Sequence, residues 1–439
     1  MTASSDSLVA EVIDNGKVSG QQVLVIGLCM FLNMLDGFDI TAMAVVAGAV
    51  SAELVLPPER LGWIFSFALL GMMGGAMLLA PVSDIIGRRK VIILSVTLVG
   101  VSIILTARAT SLEEFIVLRF ISGLGAGAML ACQATLAAEY SPEKYRSLSV
   151  ALVTSGYPLG AMFTSVAAGL ILPEYGWRGM FWFGGVLTVS MGLVAWLLIP
   201  ESLKYLFERR PHNALQRVNA ILKKLGKPVL AALPSVATTE PSRDGFGATL
   251  LKLLAKQHVK VTLILWTTFF LCFATLYFLM SWIPKLMEDS GYPASIGRQA
   301  FFLFNLGGVL GIYLLGYLST RFKLTNLIAG LLFLSAVGMI VFAMAPNQQT
   351  MLLGIIFAIG VLQQGGFTGL YAAAAKAYPT EMRSTGIGWA IGLGRSGAVA
   401  GPAAAGYFIA AGFDMSANFY LFAVPMAIGG LIAWTLHIR

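Results

Sequence analysis

The sequence carries little charge and few of the residues that build catalytic or metal sites. Asp, Glu, Lys and Arg make up only 11% of the 439 residues, whereas a soluble domain carries about 25%. There are three cysteines and three histidines. Because Cys29, Cys132 and Cys272 fall inside apolar segments, we expect them to pack as small hydrophobic side chains. Neither a disulfide framework nor a metal site is predicted, and no cofactor is expected.

The histidines are also badly placed for proton transfer inside a membrane. His212 and His258 lie in a polar segment, and His437 lies near the C-terminal end. A buried histidine relay is therefore excluded, and carboxylates must carry any proton. The polar segments contain no nucleophile with a base, no set of metal ligands and no phosphate-binding loop, so the chain is not predicted to be an enzyme.

Apolar residues are what the sequence has in excess: 57% of it is hydrophobic and its mean hydropathy is +0.81. A run of about 20 apolar residues is long enough to cross a bilayer as a helix. The chain is therefore predicted to be an all-α polytopic membrane protein. Twelve such runs lie near residues 22–50, 60–82, 91–108, 112–139, 147–172, 178–199, 259–284, 299–319, 325–345, 350–378, 384–412 and 416–437.

The formal charge of +8 is concentrated in one segment, since residues 201–260 hold eleven Lys and Arg against four acids. Cations collected in the loops of one side are typical of the positive-inside pattern rather than of nucleic-acid binding. The pattern predicts a multi-pass protein of the inner (plasma) membrane with both termini cytoplasmic, and we expect a monomer. Because the first 20 residues are polar, no removable signal peptide is expected.

The two halves of the chain share a string of residues. Residues 140–147 read Tyr-Ser-Pro-Glu-Lys-Tyr-Arg-Ser after the fourth predicted helix, and residues 378–384 read Tyr-Pro-Thr-Glu-Met-Arg-Ser after the tenth. Matching strings at matching positions indicate parallel repeats, here two six-helix bundles related by a pseudo-two-fold axis. The predicted domains are a cytoplasmic tail (1–21), a first bundle (22–200), a basic linker with short amphipathic helices on the inner leaflet (201–258) and a second bundle (259–439).

Two aspartates, Asp36 and Asp39, lie near the middle of the first apolar run, where a charged side chain costs at least about 2.5–3.5 kcal/mol to insert. A spacing of three residues puts both carboxylates on one helical face, one turn apart. Two ionised carboxylates repel each other in a low dielectric, so one of them is expected to take up a proton. The alternative is a structural pair satisfied by Asn33, serine or backbone partners.

Two arginines also fall inside apolar runs. Arg119 lies about 10 Å deep in the fourth predicted helix and Arg395 about 16 Å deep in the eleventh, at 1.5 Å per residue. Arg119 is expected to pair with an aspartate of the first helix, although it could instead snorkel to the surface. Arg395 is too deep to snorkel, and its predicted counter-ion is either a first-helix aspartate or the carboxylate of a substrate held bidentately.

The turn after the second predicted helix, residues 84–90, reads Asp-Ile-Ile-Gly-Arg-Arg-Lys. Together with the twelve-helix layout it resembles the Major Facilitator Superfamily, whose signature here is Gly-x-x-x-Asp-Arg-x-Gly-Arg-Arg/Lys. Ala80 stands in place of the first Gly and Ile85 in place of the first Arg, and the equivalent turn at 316–322 lacks the acid. Gating or bracing roles are expected at this end for Asp84, Gly87, Arg88, Arg89, Arg146 and Arg383.

Within that superfamily, Asp-Gly-Phe-Asp at 36–39 resembles the Asp-Gly-x-Asp motif of the aromatic acid:proton symporters. Segments 119–127, 139–142, 378–386 and 394–402 extend the resemblance. Members of the family import benzoate-type carboxylates with protons, so the resemblance implies rocker-switch symport of an aromatic acid here. It also favours a proton-coupling role for Glu139, which, like Lys376, could otherwise be an ordinary interfacial charge.

An aromatic substrate needs flat apolar walls and a few polar contacts, although aromatic side chains of membrane helices often face lipid or packing seams instead. Phe301 and Gln363 are further candidates for contacts with such a substrate. The predicted substrate contacts, besides Arg395, are Asn33, Gln133, Tyr277, Phe278, Trp282, Phe304, Asn305, Gln364 and Trp389.

Two alternatives stay open from the sequence. The same fold could carry a non-aromatic organic acid or export drugs, although residues 155–160, Ser-Gly-Tyr-Pro-Leu-Gly, match the Gly-x-x-x-Gly-Pro run of exporters only in part. A related Gly-Pro run occurs at 397–402. A membrane receptor would bind the ligand without moving it.

Overall fold

The computed structural model describes residues 13, 18–233, 253–255, 257–346, 348–378 and 383–436, without the side chains of residues 383 and 384. Most of the predicted N-terminal tail and part of the predicted linker lie outside the described residues. The described chain is helical, as predicted, and its long helices fall into two groups of six. We number these spans α1 to α12.

The first bundle begins with a well-capped helix. Ser19 accepts a hydrogen bond from the Gln22 amide at 3.3 Å, while the Gln22 side chain accepts one from the Ser19 amide at 2.8 Å, a capping box that starts α1. The helices are α1 (Gly20–Leu54), α2 (Pro58–Gly74), α3 (Arg88–Thr106), α4 (Leu112–Glu139), and the run Glu143–Leu198, which holds α5 (143–175) and α6 (177–198).

Two irregular places in this bundle have a visible cause. The run Glu143–Leu198 is continuous in sequence, but Gly176 adopts a left-handed φ of 60° that breaks it into two spans. After α2 the chain passes through a π-helical turn (Gly75–Leu79), a 3₁₀ turn (Ala80–Val82) and a short helix (Ser83–Ile86). Gly87, with φ 103°, then reverses the chain into α3.

The second bundle comprises α7 (Val259–Asp289), α8 (Ala294–Leu318), α9 (Leu324–Met344), α10 (Gln349–Ala377), α11 (Arg383–Ala410) and α12 (Met415–Trp434). Among the described residues, ten helical runs are long and apolar enough to cross a membrane, with α5 and α6 counted as one. The remaining span, α11, has 28 residues and is therefore long enough to cross a membrane as well.

Glycines bring the helices of the first bundle into backbone contact. Gly125 faces α3, where a Cβ would lie 2.9 Å from the carbonyl oxygen of Ser95. A Cβ on Gly123 or Gly127 would overlap backbone carbonyls of α2, those of Ala68 and Met72. The glycines of α4 therefore allow close helix packing on two sides.

The two bundles meet most clearly at the end that carries the α1–α2 turn, which we call the far end. There a Cβ on Gly62 would lie 2.9 Å from the Pro402 carbonyl oxygen, so α2 and α11 touch through their backbones. The Ser66 hydroxyl donates to the Val399 carbonyl at 2.7 Å. We call the opposite end, which carries the α2–α3 turn, the basic end.

Two short helices follow α6 at the basic end, Leu203–Arg209 and Ala214–Lys224. Their apolar side chains face the first bundle. Leu206, Phe207 and Val218 are buried in a cluster with Ile92 and Val96 of α3. Burial of this face against the first bundle fixes the segment to that bundle.

Candidate transport site

Asp39 is part of a buried ion pair inside the first bundle. Its carboxylate lies 2.8 Å from the Arg119 guanidinium, and Arg119 also donates to the backbone carbonyl of Asp39 at 3.2 Å. The hydroxyl of Ser122, one turn further along α4, donates to the second carboxylate oxygen. Asp39 is 0% and Arg119 1% exposed. The contact expected between Arg119 and a first-helix acid is present, and Asp39 is the partner.

An aromatic ring covers the paired arginine. The Arg119 guanidinium lies 5.3 Å from the ring centroid of Phe181 on α6, a cation–π contact. Phe181 and Phe115 are themselves fully buried and in edge contact. This surrounding fixes the side chain of Arg119, so the pair ties α1, α4 and α6 together.

Asp36 is buried just as deeply but has no such partner. It is 0% exposed, and within the described residues neither of its carboxylate oxygens accepts a hydrogen bond. Its electrostatic neighbours are Asp39 and, from the other bundle, Arg395. A buried carboxylate without a hydrogen-bond partner is costly to keep ionised, so the charge of Asp36 must be offset either by the nearby Arg395 guanidinium or by a proton.

Arg395 faces Asp36 from the second bundle. It is partly exposed, and among the described residues no carboxylate lies within the 4.0 Å ion-pair distance of its guanidinium. The guanidinium lies 5.9 Å from the ring centroid of Phe273 on α7. A Cβ on the neighbouring Gly394 would lie 2.6 Å from the Phe269 Cβ, so glycine there lets α7 and α11 approach.

Three tyrosines from three helices lie near one another between the bundles. Tyr157 of α5 has Tyr277 of α7, Asp36 and Arg395 as electrostatic neighbours. Tyr371 of α10 has Arg395 and Tyr277. Tyr157 and Tyr371 therefore belong to the electrostatic surroundings of Arg395, and Tyr277 lies near both of them.

An aromatic wall continues from this point between α7 and α10. Phe273 stacks on Tyr277 with ring centroids 6.1 Å apart, and it meets Phe367 edge-on at 4.7 Å. Tyr371 contacts Phe367 at 5.4 Å and Phe269 at 5.3 Å, both edge-on. Flat apolar rings beside a cation and several hydroxyls are what binding an aromatic anion requires.

The other predicted aromatic residues make packing contacts of their own. Phe278 stacks on Phe422 of α12 with ring centroids 3.9 Å apart, inside the second bundle. Trp282 meets Phe65 of α2 edge-on, with centroids 5.4 Å apart, where the bundles join toward the far end. Phe304 and Phe301 are fully buried in α8, and the ring centroids of Trp389 and Trp266 are 6.0 Å apart. Substrate binding stays a prediction for these residues and for Tyr277.

The predicted amide side chains fall into two classes. Asn33 donates to the Val153 carbonyl of α5 at 2.6 Å and Asn305 donates within α8 at 2.9 Å, so both are engaged in helix packing. Gln364 packs on Gly308 of α8. Gln133 and Gln363 are buried, and within the described residues their amide groups make no hydrogen bond. Roles in substrate binding stay predictions for all of them.

Two of the predicted gating residues, Asp84 and Arg88, belong to a charged network at the basic end. Arg88 makes an ion pair with Glu139 of α4 and lies 3.6 Å from Asp84. Glu139 also accepts a hydrogen bond from Ser202 at 2.6 Å. Glu139 is therefore near the α2–α3 turn rather than beside Asp36, and its predicted part in proton coupling is not tested by this contact.

Glu201, which the sequence did not single out, holds the same network together. It is 3% exposed, and its carboxylate accepts from the Arg89 amide and from the Ser202 amide, both at 3.0 Å. The carboxylate lies directly over Gly87, where no Cβ would fit. Arg146 is exposed at the start of α5, and the side chain of Arg383 lies outside the described residues.

Comparison with known proteins agrees with the twelve-helix arrangement. A family model described as Major Facilitator Superfamily matches residues 28–348 and residues 265–439. The chain is 32% identical over 426 residues to the 4-hydroxybenzoate transporter PcaK of Pseudomonas putida, covering 96% of this chain and 93% of that protein. It is 29% identical to the benzoate transport protein of Acinetobacter baylyi, covering 98% and 93%.

Solved structures share the fold at low sequence identity. The inward-open xylose transporter XylE from E. coli superposes with a TM-score of 0.72 at 15% identity, covering 94% of this chain and 96% of that one. Likeness at such identity concerns the fold alone. The family match and the relatives decide the class: the chain belongs to the Major Facilitator Superfamily, and it is a multi-pass membrane transporter rather than an enzyme.

Proposed function

We propose that the protein imports an aromatic carboxylate together with protons, by rocker-switch alternating access of its two bundles. One observation carries the proposal: Asp36 and Arg395 face each other across the bundle interface, and neither has a partner at ion-pair distance among the described residues. An acid suited to protonation thus lies beside a cation available to an anion.

The anion site is proposed at Arg395. Its planar guanidinium can hold a carboxylate through two parallel hydrogen bonds. The rings of Phe273, Phe367 and Tyr371 stand beside it as walls for an aromatic ring. The printed names of the relatives, which include 4-hydroxybenzoate, benzoate and gallate transporters, support the same substrate class.

The proton site is proposed at Asp36. Asp39 is already neutralised by Arg119 and Ser122, whereas Asp36 lacks a partner, so a proton is the simplest way to remove its charge. When Asp36 ionises, its attraction for Arg395 competes with the substrate carboxylate. Protonation ends that competition and leaves Arg395 to the anion.

The sidedness follows from the charge of the loops. We take the basic end as cytoplasmic and the far end as external, in the inner (plasma) membrane, with both termini inside. The α2–α11 contact at Gly62 and Pro402 would then close the outer mouth. The Arg88–Glu139 network, which lies within the first bundle, would stay intact and move with that bundle when the two bundles rock. We expect the transporter to work as a monomer.

Uptake into proteoliposomes tests the proposal. We expect labelled 4-hydroxybenzoate to accumulate when the inside is alkaline and to equilibrate without accumulation when the gradient is collapsed by an uncoupler. Unlabelled benzoate should compete, and an aliphatic acid such as succinate should not. Competition by the aliphatic acid alone would point to a non-aromatic substrate. Binding without flux into sealed vesicles would indicate a receptor.

A further inference from the structure

Tyr157 lies near both the proposed proton site and the proposed anion site. It belongs to α5 of the first bundle, and its electrostatic neighbours are Asp36 of α1, Arg395 of α11 and Tyr277 of α7. Within the described residues its hydroxyl is buried and makes no hydrogen bond, and the same holds for the Asp36 carboxyl group.

The backbone beside Asp36 fixes the position of this tyrosine. Gly37 has no side chain, and a Cβ there would overlap the Tyr157 carbonyl. A Cβ on Gly160, one turn later in α5, would overlap the Met34 carbonyl in the same way. Helices α1 and α5 are thus in direct backbone contact on both sides of Asp36, which holds the Tyr157 ring next to that carboxyl group.

On the other side, Tyr157 reaches the surroundings of Arg395. The Arg395 guanidinium lies 5.9 Å from the ring centroid of Phe273. Phe273 also stacks on Tyr277, with ring centroids 6.1 Å apart and an angle of 20° between the ring planes. Tyr277 is the tyrosine that Tyr157 meets across the interface. Tyr157 therefore stands between the turn of α1 that carries Asp36 and the α7 rings beside Arg395.

We infer that Tyr157 is a positioning residue that couples protonation of Asp36 to binding of the anion at Arg395. A phenol has one O–H to donate, and two acceptors compete for it. When Asp36 is ionised, the Tyr157 O–H is donated to its carboxylate. When Asp36 is protonated, the O–H turns to the substrate carboxylate on Arg395, while the proton stays on Asp36. The inference rests on the proposed function.

The other charged and titratable groups around Asp36 do not produce the same effect. Asp39 on its own helix is paired with Arg119 of α4. Tyr371 of α10 has Arg395 and Tyr277 of α7 as its electrostatic neighbours. Asp36 is therefore the acid near Tyr157 whose carboxyl group has no hydrogen-bond partner within the described residues.

The test is a pair of dissociation constants for 4-hydroxybenzoate, measured by calorimetry on the purified protein in nanodiscs at about pH 6 and about pH 8, where the ligand carboxylate is ionised throughout. We expect the wild type to bind about tenfold more tightly at the lower pH, and Tyr157→Phe to reduce that ratio to about two- to threefold, because a loss of about three- to fivefold is the size of one typical net hydrogen bond.

Tyr371→Phe is the matched control. Tyr371 lies near Arg395 and Tyr277, so removing its hydroxyl should change both dissociation constants by the same factor and leave their ratio at the wild-type value. Thermal unfolding checks that each variant is folded. Tyr157→Met, which also lacks the hydroxyl and keeps the bulk, gives the same comparison if the phenylalanine variant does not fold.

The outcomes separate the two proposals. A wild-type ratio retained in Tyr157→Phe overturns the coupling role of Tyr157 and leaves the proposed transport function intact. A loss of ratio in Tyr371→Phe equal to that in Tyr157→Phe also overturns it, because the effect would then belong to the aromatic wall in general. A wild type that binds no aromatic acid at either pH overturns the proposed function, and the coupling role with it.

Discussion

Arg119 of the first bundle and Arg395 of the second both lie deep in an apolar helix, but they differ in what stands opposite the guanidinium. Arg119 is 1% exposed and has Asp39 at 2.8 Å. Arg395 is partly exposed, and among the described residues it has no carboxylate at ion-pair distance. The two aspartates divide in the same way, since Asp39 is paired and Asp36 is not.

The difference separates structure from function within one charged cluster. A buried pair that is broken on one side leaves an uncompensated charge, so a paired arginine is held in place by its partner. An arginine without a partner can exchange one anion for another at little cost. We therefore propose that Arg119 and Asp39 serve the framework of the first bundle, and that Arg395 and Asp36 serve the transported ions; a part in proton coupling stays a prediction for Arg119 and Asp39.

The largest effect, a loss of folding stability, should come from breaking the Asp39–Arg119 ion pair. Asp39→Asn removes the counter-ion of a buried guanidinium, and we expect the folded state to lose about 3–5 kcal/mol. Thermal unfolding of the purified protein measures this loss. Asp36→Asn is the matched control, because it leaves the ion pair intact and should unfold at the wild-type temperature or above. Equal melting temperatures for both variants would contradict the division.

The unpaired arginine should show the opposite pattern, loss of binding with little loss of stability. Arg395→Ala is expected to weaken 4-hydroxybenzoate binding by about 2–4 kcal/mol, which is about 30- to 1,000-fold. Calorimetric titration at acid pH measures the dissociation constant. Arg395→Lys keeps the charge without the planar fork, so its affinity should fall between those of the wild type and the alanine variant. Wild-type affinity in Arg395→Ala would show that the anion binds elsewhere.

Removing the charge of the unpaired acid should uncouple transport. Asp36→Asn imitates the protonated carboxyl, so the anion should bind equally well at about pH 6 and about pH 8. Accumulation driven by a pH gradient should fall about tenfold, while exchange of labelled for unlabelled substrate continues. Parallel uptake and exchange assays in proteoliposomes distinguish these processes. Gradient-driven accumulation at the wild-type level would remove Asp36 from the proton site.

The smallest effect concerns the rings that cover the two arginines. Phe273→Leu removes a cation–π contact with Arg395 that is worth about 0.5–1 kcal/mol, so binding should weaken about two- to fivefold. Phe181→Leu makes the same change over Arg119, which lies 5.3 Å from that ring, and should lower the melting temperature with affinity preserved. If both variants changed affinity alike, the two arginines would have to share one function.

The sequence was sufficient for the helices and for the list of intramembrane charges. Apolar length fixes the spans, and the free energy of burying a charge identifies Asp36, Asp39, Arg119 and Arg395 as unusual. The sequence could not show which aspartate pairs with which arginine. Residues three apart share a helical face but still point in directions roughly 60° apart, at 100° per residue. The rotation of α1 against α4, where Ser122 stands one turn from Arg119, decides the pairing.

The aromatic part of the site was harder to predict. Tyr157, Phe273, Phe367 and Tyr371 look like other aromatic residues of apolar helices, and their meeting depends on contacts between α5, α7, α10 and α11 that no local pattern specifies. Gly37 and Gly394 were visible signals of close helix approach beside Asp36 and Arg395. The short helices after α6 read as amphipathic, but the pattern did not reveal that the first bundle covers their apolar face.

The most direct test is the number of protons taken up when the anion binds. Purified protein in a weakly buffered solution near neutral pH is mixed with saturating 4-hydroxybenzoate, and a pH-sensitive dye follows the proton. The account holds that Asp36 must be neutral before Arg395 can bind the anion. The wild type should therefore bind as much as about one proton per bound anion, and Asp36→Asn should bind none. Binding without proton uptake in the wild type, or equal uptake in the variant, would contradict the account.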